Sequence, residues 1–173
     1  MRALFESDYK NYNENGTVGR RPSVRGIIIK NGLIAMVHSL KYDYYKFPGG
    51  GIDEGESHEE TLIREVREEA GLIVVPDSIR EYGKVLRKEK GKIEDIFIQE
   101  NYYYFCEAAE TTSSQALDDY EAEEQFTLEW VRPEIAIDTN RNHDHFGKST
   151  EIARHMFERE AKVLELLLQE GYF

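Results

Sequence analysis

Between Gly50 and Leu72 the chain reads GGIDEGESHEETLIREVREEAGL, and this stretch commits it to one helix with two unlike faces. Ser57 followed by Glu60 is the S-x-x-E capping box, in which each side chain satisfies a backbone N–H of the other's residue. Gly71 stands where a helix ends in a left-handed residue. The signals predict a helix from about Ser57 to Ala70. Leu62, Ile63, Val66 and Ala70 form an apolar stripe that docks it on a sheet. Glu65, Glu68 and Glu69, at i, i+3 and i+4, share another side of the same helix. Like charges at that spacing cost a helix a few tenths of a kcal/mol per pair (roughly 0.2–0.5) and raise carboxylate pKa values. A hard divalent cation reverses the sign of that interaction. Mg²⁺ prefers oxygen ligands and is held by a few carboxylates together with substrate phosphates.

The 173 residues predict one domain, long enough to bury a single substantial core. The formal net charge of −12 argues against a general nucleic-acid surface, while a metal and a local basic pocket still admit a polyphosphate. Acid is concentrated from Asp53 to Glu69 and from Asp118 to Glu124. No apolar run reaches spanning length and no signal-peptide pattern opens the chain, so the expectation is a cytoplasmic protein without a membrane partner. The one cysteine, Cys106, reads as a buried apolar side chain in a strand.

Residues 1–21 read as a polar lead-in, extended or partly ordered. Ser23 to Lys30 and Leu33 to Ser39 are strand-forming runs joined by Asn31-Gly32, the dipeptide of a type I′ hairpin. Tyr44 to Phe47 feeds the glycine turn. Leu72 to Val75, Glu81 to Arg87 and Asp95 to Cys106 have strand character, Ala108 to Gln125 reads as an acidic loop, and Phe126 to Val131 returns to a strand. Arg132-Pro133 opens a short helix with proline in its first turn. A last helix is predicted over 149–171, with Ile152, Met156, Val163, Leu166 and Leu167 near helical spacing.

These residues carry a family resemblance. Gly50, Glu56, Arg64, Glu65, Val66, Glu68, Glu69, Gly71 and Leu72 match the box G-x5-E-x7-R-E-U-x-E-E-x-G-U of the Nudix hydrolases, and Phe47-Pro48-Gly49 is similar to the usual entry to that loop. The resemblance implies an α+β fold, an α/β/α sandwich with a mixed β-sheet between helices. It implies hydrolysis of the pyrophosphate bond in a nucleoside diphosphate linked to another moiety, by water attack at phosphorus with Mg²⁺, or Mn²⁺ as substitute. Glu65, Glu68 and Glu69 are the expected metal ligands, with the backbone carbonyl of Gly50 or Gly49 beside them. Glu56, Arg64 and Gly71 are expected to hold loop and helix together. The general base in this family lies on the box or on a later acidic loop. Glu65 and Glu68 are the candidates on the box, and Glu124, backed by Glu123 and Glu121, on the loop.

Around this centre, Arg21 and Arg25 are candidate phosphate contacts, because arginine makes bidentate bonds to phosphate. Tyr45, with Tyr42 and Tyr44, is a candidate stacking surface for a base, and Arg141, His143 and His145 lie on a loop able to close over the substrate. The partner expected is a small nucleotide derivative, with a homodimer compatible. Two further functions stay open: a nucleotide-binding sensor of the same shape without hydrolysis, and removal of pyrophosphate from an RNA 5′ end, which the acidic balance disfavours. Dinucleotides, ADP-sugars and nucleoside triphosphates all remain as substrates.

Overall fold

A computed structural model describes residues 1–145, 147 and 151–173, with 151 and 152 described by backbone alone. Ser149 and the side chain of Ile152, both assigned to the last helix, lie outside the described residues. The strands are β1 (Ala3–Asp8), β2 (Val18–Arg20), β3 (Ser23–Ile27), β4 (Ile29–Lys30), β5 (Leu33–Ser39), β6 (Tyr44–Lys46), β7 (Leu72–Val74), β8 (Arg80–Glu89), β9 (Ile96–Phe105), β10 (Ala108–Thr112) and β11 (Phe126–Val131). The helices are α1 (His58–Ala70), α2 (Asp119–Glu123), α3 (Pro133–Asn142) and α4 (Glu151–Gln169).

The main sheet is mixed, in the order β1-β8-β9-β2, with β3 also on β9. β8 and β9 are antiparallel, while β1 joins β8, and β2 and β3 join β9, in parallel. A second sheet, antiparallel, has β5 between β11 on one side and β4 and β6 on the other. The hairpin between β4 and β5 turns at Asn31 and Gly32 with φ of 53° and 75°, the pair of positive angles that a type I′ turn requires. Two expectations are corrected. Residues 1–21 are no mere lead-in, since β1 and β2 both pair within the main sheet. The acidic loop contains β10, paired with β7, and the short α2.

β3 and β5 form the central layer, and their alternation divides the core. Val24, Ile28 and Ala35 point to α1, where Leu62, Val66 and Ala70 meet them. Ile27, Ile34 and Met36 point the other way, onto Val163, Leu164 and Leu167 of α4. Helices therefore cover both faces of a mixed sheet, the α+β sandwich expected. No helix among the described residues is long and apolar enough to cross a membrane.

Candidate active site

The glycine turn is strapped along β3. Gly26 N–H donates to Pro48 O (2.8 Å), Val24 N–H to Gly50 O (3.0 Å) and Ile52 N–H to Pro22 O (3.1 Å). Gly49 has φ 140°, and a Cβ there would stand 2.2 Å from Val24 O, so the loop can lie this close only with glycine. α1 then begins at the cap that the sequence predicts: Glu60 N–H donates to Ser57 Oγ (3.2 Å) and Ser57 N–H to Glu60 Oε2 (2.9 Å). It ends at Gly71 in the left-handed conformation, φ 65°.

Arg64 ties this loop to the acidic side of the helix. Its Nε and Nη2 donate to the two oxygens of Glu56 (2.8 and 2.7 Å), and Nη1 reaches Glu65 Oε1 (2.6 Å) and Glu68 Oε2 (3.2 Å). The guanidinium, with help from the Thr61 hydroxyl, holds the Glu56 carboxyl down at about 2. Burial pushes Glu65 up despite Arg64. Gly50 faces that carboxyl: a Cβ there would stand 2.3 Å from Glu65 Oε2.

Glu69 lies deepest, 1 % exposed. It pairs with the Lys46 ammonium and accepts from Gly49 N–H (2.9 Å). Burial pushes its carboxyl up to about 7, opposed by Lys46 and Arg25. Glu121 stands within hydrogen-bonding reach of it. Burial would raise Glu121 as well, but Asp118 N–H, Glu69 and the Tyr120 hydroxyl hold it below the usual carboxylate range. Two neighbouring carboxyls are thus driven in opposite directions, Glu69 up by burial and Glu121 down by its hydrogen bonds.

Several sequence expectations change here. Glu124, taken as the leading loop base, accepts from the Tyr44 hydroxyl (2.6 Å) and is 9 % exposed, so the place beside Glu69 goes to Glu121. The signal for this was Asp118-x-x-Glu121, a D-x-x-E capping pattern that opens α2. Both loop carbonyls named as candidate ligands are engaged, Gly50 O by Val24 N–H and Gly49 O by Arg25 Nη1. Tyr45 is 5 % exposed: its ring stacks on His38 (centroids 4.2 Å) and its hydroxyl donates to Glu129 (2.8 Å). Arg21 is exposed, and its guanidinium borders Gly51. Arg141 is committed to Glu158 and Glu165, and His143 to Asp43. Lys46, at the end of a strand of tyrosines, had no sequence signal.

Among the described residues no three His, Cys, Asp or Glu side chains converge on one point as they lie, because Arg64 and Lys46 draw the glutamates to themselves. The donor chemistry nevertheless fits a hard cation. Carboxylates and a loop carbonyl, oxygen donors all, lie beside the glycine turn, and Gly50 leaves open the space against Glu65.

The NUDIX domain model matches residues 19–150. The chain belongs to the NUDIX family. The box residues named above therefore sit where this family's loop and helix meet. Two curated relatives match over part of the chain: RNA pyrophosphohydrolases from Ectopseudomonas mendocina, 46% identical over 56 residues, and from Acinetobacter baylyi, 44% identical over 57. The first match covers 31% of this chain and 35% of the relative, the second 32% and 34%. The chain thus spans about a third of the length of the curated relatives it matches. Among solved structures, the E. coli ORF135 protein aligns over 89% of this chain and 94% of its own, with TM-score 0.56 and 18% identity. A NUDIX hydrolase from Nitrosomonas europaea aligns over 81% and 87%, with TM-score 0.54 and 14% identity. At those identities the likeness is one of fold.

Proposed function

We propose that this NUDIX protein is a Mg²⁺-dependent pyrophosphohydrolase, served also by Mn²⁺, acting on a nucleoside diphosphate linked to another moiety. The observation that carries the reading is the meeting of Glu65, Glu69 and the Gly49-Gly50 backbone at one end of α1. Glu65, Glu68, Glu69 and Gly49 O would hold the metal. When bound, it neutralises phosphate charge and lowers the pKa of an attacking water. Arg64 keeps Glu65 and Glu68 oriented, and Lys46 with Gly49 N–H fixes Glu69. Glu121, held charged beside Glu69, is the loop carboxylate placed to accept a proton from water. Arg25, at the Gly49 carbonyl, is placed to contact a phosphate oxygen.

A second reading, removal of pyrophosphate from an RNA 5′ end, is favoured by one observation: curated relatives that match about a third of this chain are named RNA pyrophosphohydrolases. Chelator-treated protein supplied with Mg²⁺ and a panel of nucleotide sugars, dinucleotides, nucleoside triphosphates and 5′-triphosphorylated RNA separates the two. Turnover confined to the RNA selects the second reading. Binding of any of these without phosphate release in the presence of Mg²⁺ or Mn²⁺ overturns both and leaves a nucleotide sensor.

A further inference from the structure

Arg87 Nε, one rung away, joins three buried donors behind the glycine loop, on the α4 side of the main sheet, that have no hydrogen-bond acceptor among the described residues: Arg25 Nε, Asn101 Nδ2 and the Tyr103 hydroxyl. Their side chains belong to residues 8, 0 and 0 % exposed. Strand register brings them together. Ser23 pairs with Asn101 and Arg25 with Tyr103, so the donors occupy two successive rungs on one face of β3 and β9. The other amide atom of Asn101 is already used, accepting from Ser23 Oγ at 2.8 Å.

Their surroundings are rich in cations and poor in free acceptors. Arg87, opposite Gln99 on the next rung, and Arg159 from α4 are buried on the same face. The carboxylates there are committed, Glu89 to His155 and Arg87, and Glu160 to Arg159. Burial and the neighbouring Arg159 push the Arg87 guanidinium down to about 10, a sign of cations crowded beyond their counter-charge. Buried donors in folded proteins find partners, so a cluster of unmet ones beside excess positive charge calls for an acceptor that is itself negative.

We propose that Arg25, Asn101 and Tyr103 form an oxyanion subsite behind the glycine loop that takes one phosphate group. Phosphate brings several acceptor oxygens to donors that a fixed carboxylate cannot all reach. The subsite extends the reaction proposed above, but its test needs no metal, so either assignment can fail alone.

The experiment is thermal melting of the metal-free protein in sodium phosphate against sodium chloride at equal ionic strength. The parent should show a saturable rise in Tm specific to phosphate. Tyr103→Phe removes one donor and should weaken the apparent affinity about tenfold. Asn101→Asp keeps the acceptor for Ser23 and supplies the negative charge internally. It should raise Tm without phosphate and abolish the phosphate response. A parent with no phosphate-specific rise, or a rise that keeps its midpoint in either variant, overturns the proposal. Should Asn101→Asp fail to fold, the Tyr103→Phe midpoint decides. In the metal-loaded protein with a nucleoside triphosphate, a raised KM in Tyr103→Phe assigns the phosphate to substrate. An unchanged KM with the phosphate response lost assigns the subsite to free phosphate.

Discussion

The acidic side of α1 and the polar layer beneath α4 both gather charge, but they do so in opposite ways. On α1 the charges come from one short stretch of sequence, and each glutamate is answered by a neighbour within that stretch or from the strand before it: Arg64 for Glu56, Glu65 and Glu68, Lys46 for Glu69. Beneath α4 the charges come from β3, β8 and the far helix, β9 adds neutral polar groups, and the pairs that form, such as Arg159 with Glu160, leave donors over. The first arrangement is coded locally and can bend to a metal at modest cost. The second exists only once the sheet and the terminal helix have met, so its disruption should be felt as lost stability.

The contrast is testable, and its largest effect should fall on chemistry. Glu65→Gln keeps an acceptor for Arg64 but removes the charge facing Gly50. It should lower kcat by roughly 10²–10⁴-fold, the range for loss of an essential acid–base or ligand carboxylate, with a melting curve close to the parent's. Parental turnover in this variant would remove the box helix from the mechanism. Beneath α4 the mirror experiment is Glu160→Gln, which leaves the buried Arg159 without its anionic partner. Stability should fall by about 3–5 kcal/mol, the scale for stripping one member of a buried pair. A denaturation midpoint unmoved by that change would mean the layer is solvated and not a buried network.

A smaller effect separates the two loop acids. Glu121→Gln should cost about 10²-fold in kcat, and Glu124→Gln less, because Glu121 stands beside Glu69 and is held below the usual carboxylate range whereas Glu124 receives the Tyr44 hydroxyl. The reverse order in kcat, measured with KM for both variants, would restore Glu124 as the loop base.

What could be read from sequence follows the same division. The cap at Ser57, the stop at Gly71, the hairpin at Asn31-Gly32 and the stripe of Leu62, Val66 and Ala70 are local signals, and each stands where it was expected. β1 and β2 were missed because their strand character comes from pairing with β8 and β9, partners far away in sequence, and not from any apolar alternation of their own. Lys46, Asn101 and Tyr103 were missed for a related reason. A lysine or asparagine inside a strand reads as a solvent-facing position until the covering helix is known. Glu121 differs: it stands among the loop acids behind Glu124 in the sequence, and its D-x-x-E spacing is the visible sign of the short helix that carries it.

The mildest prediction concerns pH, and it tests whether Arg64 serves architecture before chemistry. Glu56 titrates near 2 in the folded protein, held down by Arg64 first and by the Thr61 hydroxyl, against an ordinary value near 4.5. A depressed folded-state value means that the unfolded chain takes up the proton first as acid is added. The pair's contribution is therefore fully present above about pH 4.5 and drains away as pH falls toward 2. Asp53 N–H, at 3.4 Å from Glu56 Oε2, loses its charged acceptor over the same window. In Glu56→Gln this part of the acid limb should be absent. Its melting temperature should lie below the parent's at neutral pH, and the two curves should converge between pH 4.5 and 2. Curves that stay parallel through that window would show that the Glu56–Arg64 bond adds nothing to the folded state, and that Arg64 is held in place by Glu65 and Glu68 alone.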